Sequence, residues 1–180
     1  MQLVNNINIS FAEDVSDLDL NKLMKFITSE FHDYFSENLP VIDTQLHACV
    51  KVDQPEVTNM PEIYNSFAKF RDILEQHKGE EQHIMFPFIK NILNKKGING
   101  VKLEILDKVI KNIENEHKRI KSNLDQLDDL TKGFEIKANS SATLKGVYHQ
   151  LGKLKHVYLV YSFIEVNYLY PKLNELKNII

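Results

Sequence analysis

At 180 residues and 21.0 kDa, with 26 % charged and 43 % hydrophobic residues, the chain has the composition of one soluble globular domain that can bury a sizeable core. A formal net charge of −3 and a pI near 6.2 give no electrostatic attraction for nucleic acid. The lone cysteine, Cys49, excludes an internal disulfide framework and an all-thiolate metal site. No run approaches the ~18 apolar residues of a membrane span, and Met1 to Ser10 lacks the basic-then-apolar order of a signal peptide, so the reading is cytoplasmic with no membrane partner.

Glycine and proline are scarce, at 6 and 5 residues, and fall in clusters, which predicts an all-α chain. The first helix opens near Ser16 and Asp17, both good N-cap types, and runs to about Val52 with a kink at Pro40. Gln54-Pro55 breaks the chain. Asn59 or Met60 then precedes Pro61, a favoured first-turn residue, and a second helix runs to about Asn94, bent by Pro87. Gly97 and Gly100 bracket a turn, and a third helix spans about Val101 to Leu130. Beyond Gly133, Ala138-Asn139-Ser140-Ser141 reads as a loop and cap, and a fourth helix runs from about Ala142 to Leu176, with Pro171 near its end. Short links between long helices make neighbours antiparallel. The expected architecture is an up-down-up-down four-helix bundle, a single domain over residues 1–180 with 1–16 as a short N-terminal extension.

Each helix carries an apolar stripe. On the second, Ile63, Phe67, Phe70, Leu74, His77, Glu81, Ile84 and Phe88 alternate steps of four and three, the seam of a bundle core. The third gives Leu106, Ile110, Ile113, His117, Ile120, Leu124 and Leu127. The fourth gives Leu144, Val147, Leu151, Leu154, Tyr158, Tyr161, Glu165 and Tyr168. The first is less regular, but His32, Phe35, Leu39, Ile42 and Leu46 form one stripe. His47, His83, His149 and His156 lie off the seams and are expected to face solvent.

A buried carboxylate without a partner costs several kcal/mol or stays protonated. Glu81 and Glu165, with His32, His77 and His117, therefore need a joint explanation, and a cation supplies it by turning each penalty into a bond. Antiparallel helices with a rise of roughly 1.5 Å per residue bring His32, His77, His117 and Tyr161 to one level within about 10 Å. His77 with Glu81, and Tyr161 with Glu165, are i,i+4 pairs that each project from one face. Mixed imidazole and carboxylate donors suit iron, manganese or zinc, and two carboxylates at one level suggest a dinuclear centre. A second ligand set is also legible, because Glu80 to His83 and Glu114 to His117 both fit the Glu-x-x-His di-iron motif. It would turn the second helix by about 100° and expose Phe67, Phe70 and Leu74.

The residues resemble a known family. "HKGEEQHIMFPFIK" is similar to the H-x-x-x-E-x-x-x-x-F-P segment of hemerythrin-like (HHE cation-binding) domains, and "YSFIEVNYLYPKL" to their last-helix segment H-x-x-x-E-N-x-x-L-F-P. "ITSEFHDYFSENLP" resembles their first-helix signature and "ENEHKRI" their E-x-E-H segment. The resemblance spans about residues 20 to 176 and points most closely to the di-iron proteins that repair iron–sulfur clusters. It implies metal ligands at His32, His77 and His117, with Glu81 and Glu165 bridging two non-haem irons. Tyr161 stands where the last-helix histidine is expected, and Val166 replaces the asparagine after the glutamate. Asp53 stands where relatives often carry a further histidine; at roughly 30 Å along a helix from His32 it is not counted as a ligand. The first 16 residues are too short for the small cysteine-bearing domain of the repair proteins.

A phenolate from Tyr161 would be a hard anionic donor that favours ferric iron and gives a visible charge-transfer band, while Tyr158 and Tyr168 show that the same helix also uses tyrosine for packing. The resemblance implies a di-iron protein that handles oxygen, nitric oxide, peroxide or labile iron in stress response or cluster repair. Its expected ligands are a small diatomic molecule or peroxide, with a protein partner that receives or donates iron. Two other classes fit the same residues: an iron- or oxygen-sensing module without turnover, and a metal-free structural bundle.

Overall fold

The computed structural model describes residues 15–51, 57–94 and 101–177, and all regular structure among them is helical. Four long helices form the bundle. Helix α1 comprises Leu20–Ile27, a π-turn at Thr28–His32, and Asp33–Lys51. Helix α2 comprises Met60–Glu80, a π-turn at Glu81–Met85, and Phe86–Leu93. Helix α3 is the uninterrupted Val101–Thr131. Helix α4 comprises Ala142–Ile164, a π-turn at Glu165–Leu169, and Tyr170–Lys177. The expected breaks at Gln54-Pro55 and at Gly97 and Gly100, together with Val52, Asp53 and most of the N-terminal extension, lie outside the described residues. None of the described helices is long and apolar enough to cross a membrane.

Local chemistry sets the helix ends. The cap of α1 is Asp19 rather than Ser16 or Asp17, because its carboxylate accepts the Lys22 N–H at 2.9 Å and so satisfies one of the free first-turn donors. Pro61 occupies the first turn of α2, where its missing N–H costs nothing. Ser141 caps α4 by accepting the Leu144 N–H at 3.1 Å. Helix α3 ends in a left-handed run, Lys132, Gly133 and Phe134 at φ of 53°, 73° and 59°, in which the Gly133 N–H reaches back to the Asp128 carbonyl.

The irregularities in hydrogen bonding fall just before two of the helical prolines and not at Pro40. Pro40 sits inside the α-helical stretch Asp33–Lys51. In α2 and α4 the π-turns lie just before Pro87 and Pro171. A proline N cannot close the turn, and the preceding residue, Phe86 or Tyr170, donates instead to the glutamate carbonyl five residues back.

Each π-turn inserts one residue and rotates everything after it by about 100°. The seams expected from sequence hold up to that point and then shift by one. Ile63, Phe67, Phe70, Leu74, His77 and Glu81 are buried as expected, but Ile84 is 58 % exposed and Phe88 only partly buried. Met85, Ile89 and Ile92 fill the core in their place. On α4 the core passes from Tyr161 and Glu165 to Leu169, Leu173 and Leu176, leaving Tyr168 half-buried. The same insertion explains the untidy first stripe, where Leu23, Met24 and Ile27 lead into Phe31, His32 and Phe35. Helix α3 has no π-turn, and all seven of its seam residues are buried.

The shifted register predicts opposite outcomes for two adjacent residues. Ile84→Ala should change stability by no more than about 0.5 kcal/mol, whereas Met85→Ala should cost about 2–5 kcal/mol in urea denaturation. Equal costs would mean that the insertion is absent.

Candidate metal centre

The three π-turns lie at one level of the bundle, and polar side chains converge there. His32 ends its π-turn, while Glu81 and Glu165 begin theirs. His77 and Tyr161 stand one turn before the two glutamates, and His117 comes from the regular helix α3. Five of the six side chains, all but His117, are fully buried, and His117 is 7 % exposed.

The geometry sorts them into two triads. In one, Glu81 Oε2 lies 2.9 Å from His32 Nε2 and accepts the Tyr161 hydroxyl at 2.6 Å. In the other, Glu165 Oε2 lies 2.7 Å from His117 Nε2 and 3.7 Å from His77 Nε2. The ligand atoms of His77, His117 and Glu165 all fall within 4.8 Å of one another. His77 Nε2 is also 4.0 Å from Glu81 Oε1, which links the triads.

These atoms fit a cation. His77 Nε2, His117 Nε2, Glu81 Oε1 and both oxygens of Glu165 are buried with no well-formed hydrogen bond to the protein. Separations of 3.7 and 4.0 Å are too long for a hydrogen bond, but two donors that each sit about 2.0–2.2 Å from a shared ion are spaced this way. Imidazole and carboxylate donors are the set that iron, manganese and zinc accept.

The outer ring nitrogens of His77 and His117 are held in place, whereas His32 Nδ1 is buried without a hydrogen-bond partner. His77 Nδ1 lies 2.9 Å from Glu116 Oε2, and His117 Nδ1 lies 3.0 Å from Ser162 Oγ. An Nδ1–H that donates outward leaves the Nε2 lone pair aimed into the site. Glu116 is 4 % exposed and takes a second hydrogen bond from Asn112 at 3.3 Å. The sequence reading missed it. The visible signal was the spacing Ile113–Glu116–Ile120, a second buried row beside the His117 seam.

The other ligand set does not assemble. His83 and Glu114 are exposed, and Glu80 is engaged with Gln76 and Asn112. His47, His149 and His156 are exposed as expected.

With this geometry in hand, comparison with known proteins is informative. The family model described as Hemerythrin HHE cation binding domain matches residues 26–173. The chain is similar to the iron-sulfur cluster repair protein ScdA of Staphylococcus haemolyticus, 20 % identical over 167 residues that cover 93 % of this chain and 70 % of that protein. It is also similar to the iron-sulfur cluster repair protein YtfE of Musicola paradisiaca, 22 % identical over 153 residues, 85 % of this chain and 65 % of the relative. YtfE of Yersinia pestis is likewise 22 % identical, over 89 % of this chain and 69 % of its own length. The chain thus spans about two thirds of these relatives.

Electrostatics decide how protons distribute in the pocket without a cation. Burial, helped by His77 and Lys78, brings His32 down to about 4. Burial also works against charge on His77, but Glu81, Glu116 and Glu165 outweigh it and lift the imidazole to about 10. Burial and then Glu165 hold the Glu81 carboxyl well above the usual range. Burial opposes charge on Glu165 too, but His117 and the close Glu81 and His77 side chains keep it below that range. The Tyr161 hydroxyl is raised by burial and then by both carboxylates. At neutral pH the metal-free pocket therefore keeps protons on His77 and Tyr161 that a cation must displace, and the Glu81 carboxyl holds its proton to higher pH than a free one.

The sign of the pH dependence follows. His77 and Glu81 both have folded values raised above their unfolded ones, so the stability they give the metal-free protein is lost as pH rises, for His77 through about 10. Metal binding strengthens over the same range because fewer protons oppose it. Going from about pH 7 to about pH 9, the gap in Tm between zinc-loaded and metal-free protein should widen in calorimetry. A gap that narrows would contradict these assignments.

Proposed function

The chain belongs to the hemerythrin HHE cation-binding domain family, and from that premise we propose that it holds a non-haem di-iron centre in the cytoplasm and uses it to handle oxygen, nitric oxide, peroxide or labile iron in stress response or iron–sulfur cluster repair. The observation that carries the proposal is the convergence of His32, His77, Glu81, His117, Tyr161 and Glu165 from four helices into two linked triads, in which His77 Nε2, His117 Nε2, Glu81 Oε1 and both Glu165 oxygens have no well-formed hydrogen bond to the protein. The naming of the relatives as iron-sulfur cluster repair proteins supports the physiological setting.

In this reading His32, Glu81 and Tyr161 would hold one iron, and His77, His117 and Glu165 the other. Iron bound there supplies a one-electron redox couple and a coordination position for a small ligand. The protein's part is positional. Glu116 and Ser162 fix the tautomers and tilt of His77 and His117. Phe31 and Phe35 pack at 5.6 and 5.5 Å on the Tyr161 ring, and Phe86 stacks on His32 at 5.9 Å, which keeps water from that side. An anionic phenolate in place of an imidazole adds negative charge and favours the ferric state.

Purified protein should contain a pair of irons per chain and show a broad visible band, which Tyr161→Phe abolishes while leaving the helical circular dichroism intact. Retention of the band in that variant would remove Tyr161 from the ligand set. Glu116→Gln should weaken metal affinity about 10–100-fold in a chelator competition. Protein that stays metal-free after reconstitution with ferrous iron would overturn the proposal as a whole.

A further inference from the structure

The two triads stand against opposite charges. Behind His77, in the triad with His117 and Glu165, lies the buried carboxylate of Glu116, 2.9 Å from Nδ1. Behind His32, in the triad with Glu81 and Tyr161, lies an ammonium. Lys78 is 7 % exposed and is the one buried lysine or arginine among the described residues. Lysine is rarely buried unless it is paired, and Lys78 has two partners. Its Nζ lies 2.6 Å from Glu75 Oε2 and donates to Ser36 Oγ at 2.7 Å. The Ser36 hydroxyl donates in turn to the His32 carbonyl at 2.8 Å. One hydroxyl therefore separates the ammonium from the backbone of His32.

The Lys78–Glu75 pair points outward from the core. The Lys78 side chain is 9 % exposed and that of Glu75 is 40 % exposed. Water screens the outer charge more than the inner one, so the pair does not cancel when viewed from the pocket. The Lys78 charge accordingly appears among the causes that hold the His32 imidazole low.

Hydrogen bonding inside the triad does not require this ammonium. Glu81 Oε2 already has His32 and Tyr161, and the Ser36 hydroxyl keeps the His32 carbonyl as its acceptor without any lysine. Fold stability does not require it either, because a buried ion pair is commonly no better than apolar side chains of the same volume. What the ammonium supplies is charge, on the side with a surplus of the other sign. With a cation bound, His32, Glu81 and Tyr161 would offer two anionic donors, and His77, His117 and Glu165 only one.

We propose that the buried Lys78 ammonium is a positioning residue of the His32–Glu81–Tyr161 half, loosening its hold on a cation and raising the reduction potential of iron there against the two anionic donors. Glu75, the outer member of the pair, moderates the effect. The redox part rests on the di-iron reading, whereas the effect on affinity extends to any divalent cation.

The test is zinc binding to metal-free protein, measured by chelator competition at low ionic strength. Lys78→Met keeps the apolar stem and removes the charge, and should tighten one zinc site about 10-fold. Lys78→Arg keeps the charge and should stay within about twofold of wild type. Glu75→Gln, on the solvent side, should weaken the same site about 3-fold. In iron-loaded protein the reduction potential should fall in Lys78→Met and rise in Glu75→Gln. A lysine that only supports the fold gives the other sign, weaker zinc binding in Lys78→Met. That result, or unaltered affinity, in protein with wild-type helical dichroism overturns the proposal. Equal tightening in Lys78→Arg would assign the effect to packing and overturn it as well. Should Lys78→Met not fold, Glu75→Gln decides, and unaltered or tighter binding there contradicts the proposal. Wild-type protein that binds neither zinc nor iron would be a failure of the metal-centre reading itself, separate from these outcomes.

Discussion

The structure depends on how two carboxylates and three imidazoles are tolerated in the dry centre of a helical bundle. Removing a single ionised carboxylate from water without compensation costs several kcal/mol, a large fraction of the 5–15 kcal/mol by which a domain of this size is stable. Protons offset part of the cost, with His77 kept charged between Glu81, Glu116 and Glu165 and the Glu81 carboxyl raised by burial and by Glu165. They leave donor atoms of His77, Glu81, His117 and Glu165 facing one another without hydrogen bonds. A cation held there would resolve that arrangement more completely than protons do, because vacant lone pairs would become bonds.

The backbone is adapted to the same end. A straight α-helix places a donor on the core face every three or four residues, so His77 and Glu81 project together, but it continues in the same register afterwards. The π-turns at Glu81–Met85 and Glu165–Leu169 break that register just past the carboxylates and resume the core one residue later. The core thus closes beyond the polar centre with Met85, Ile89, Leu169 and Leu173, all fully buried. π-turns are costly and cluster at functional positions. Three of them at one level, in a bundle whose remaining helix, α3, is unbroken, tie the irregular backbone to the site.

Periodicity alone disclosed most of the fold. Four helices and the buried faces as far as the polar residues were legible, because burial of a stripe at a spacing of 3.6 is the strongest signal a helical sequence carries. The one-residue shift after Glu81 and Glu165 was not, since Ile84 and Met85 are both apolar and either register reads as a seam. A signal was present in the prolines: Pro87 and Pro171 each follow their glutamate by six residues. The six converging residues were legible because polar side chains in a core stripe are rare enough to need a common cause. Glu116 escaped because it lies beside the stripe rather than on it, and only packing shows that its carboxylate reaches His77. Asp19 displaced Ser16 and Asp17 as the cap because all three are good cap types and sequence cannot rank their geometry.

The most direct measurement of whether cations balance these buried groups is an anomalous difference map at the iron edge, from crystals of protein grown with ferrous iron. Two peaks are expected, one among His32, Glu81 and Tyr161 and the other among His77, His117 and Glu165, with the glutamates between them. A map without signal in that pocket, or with iron bound instead at the surface near Glu80 and His83, would contradict it.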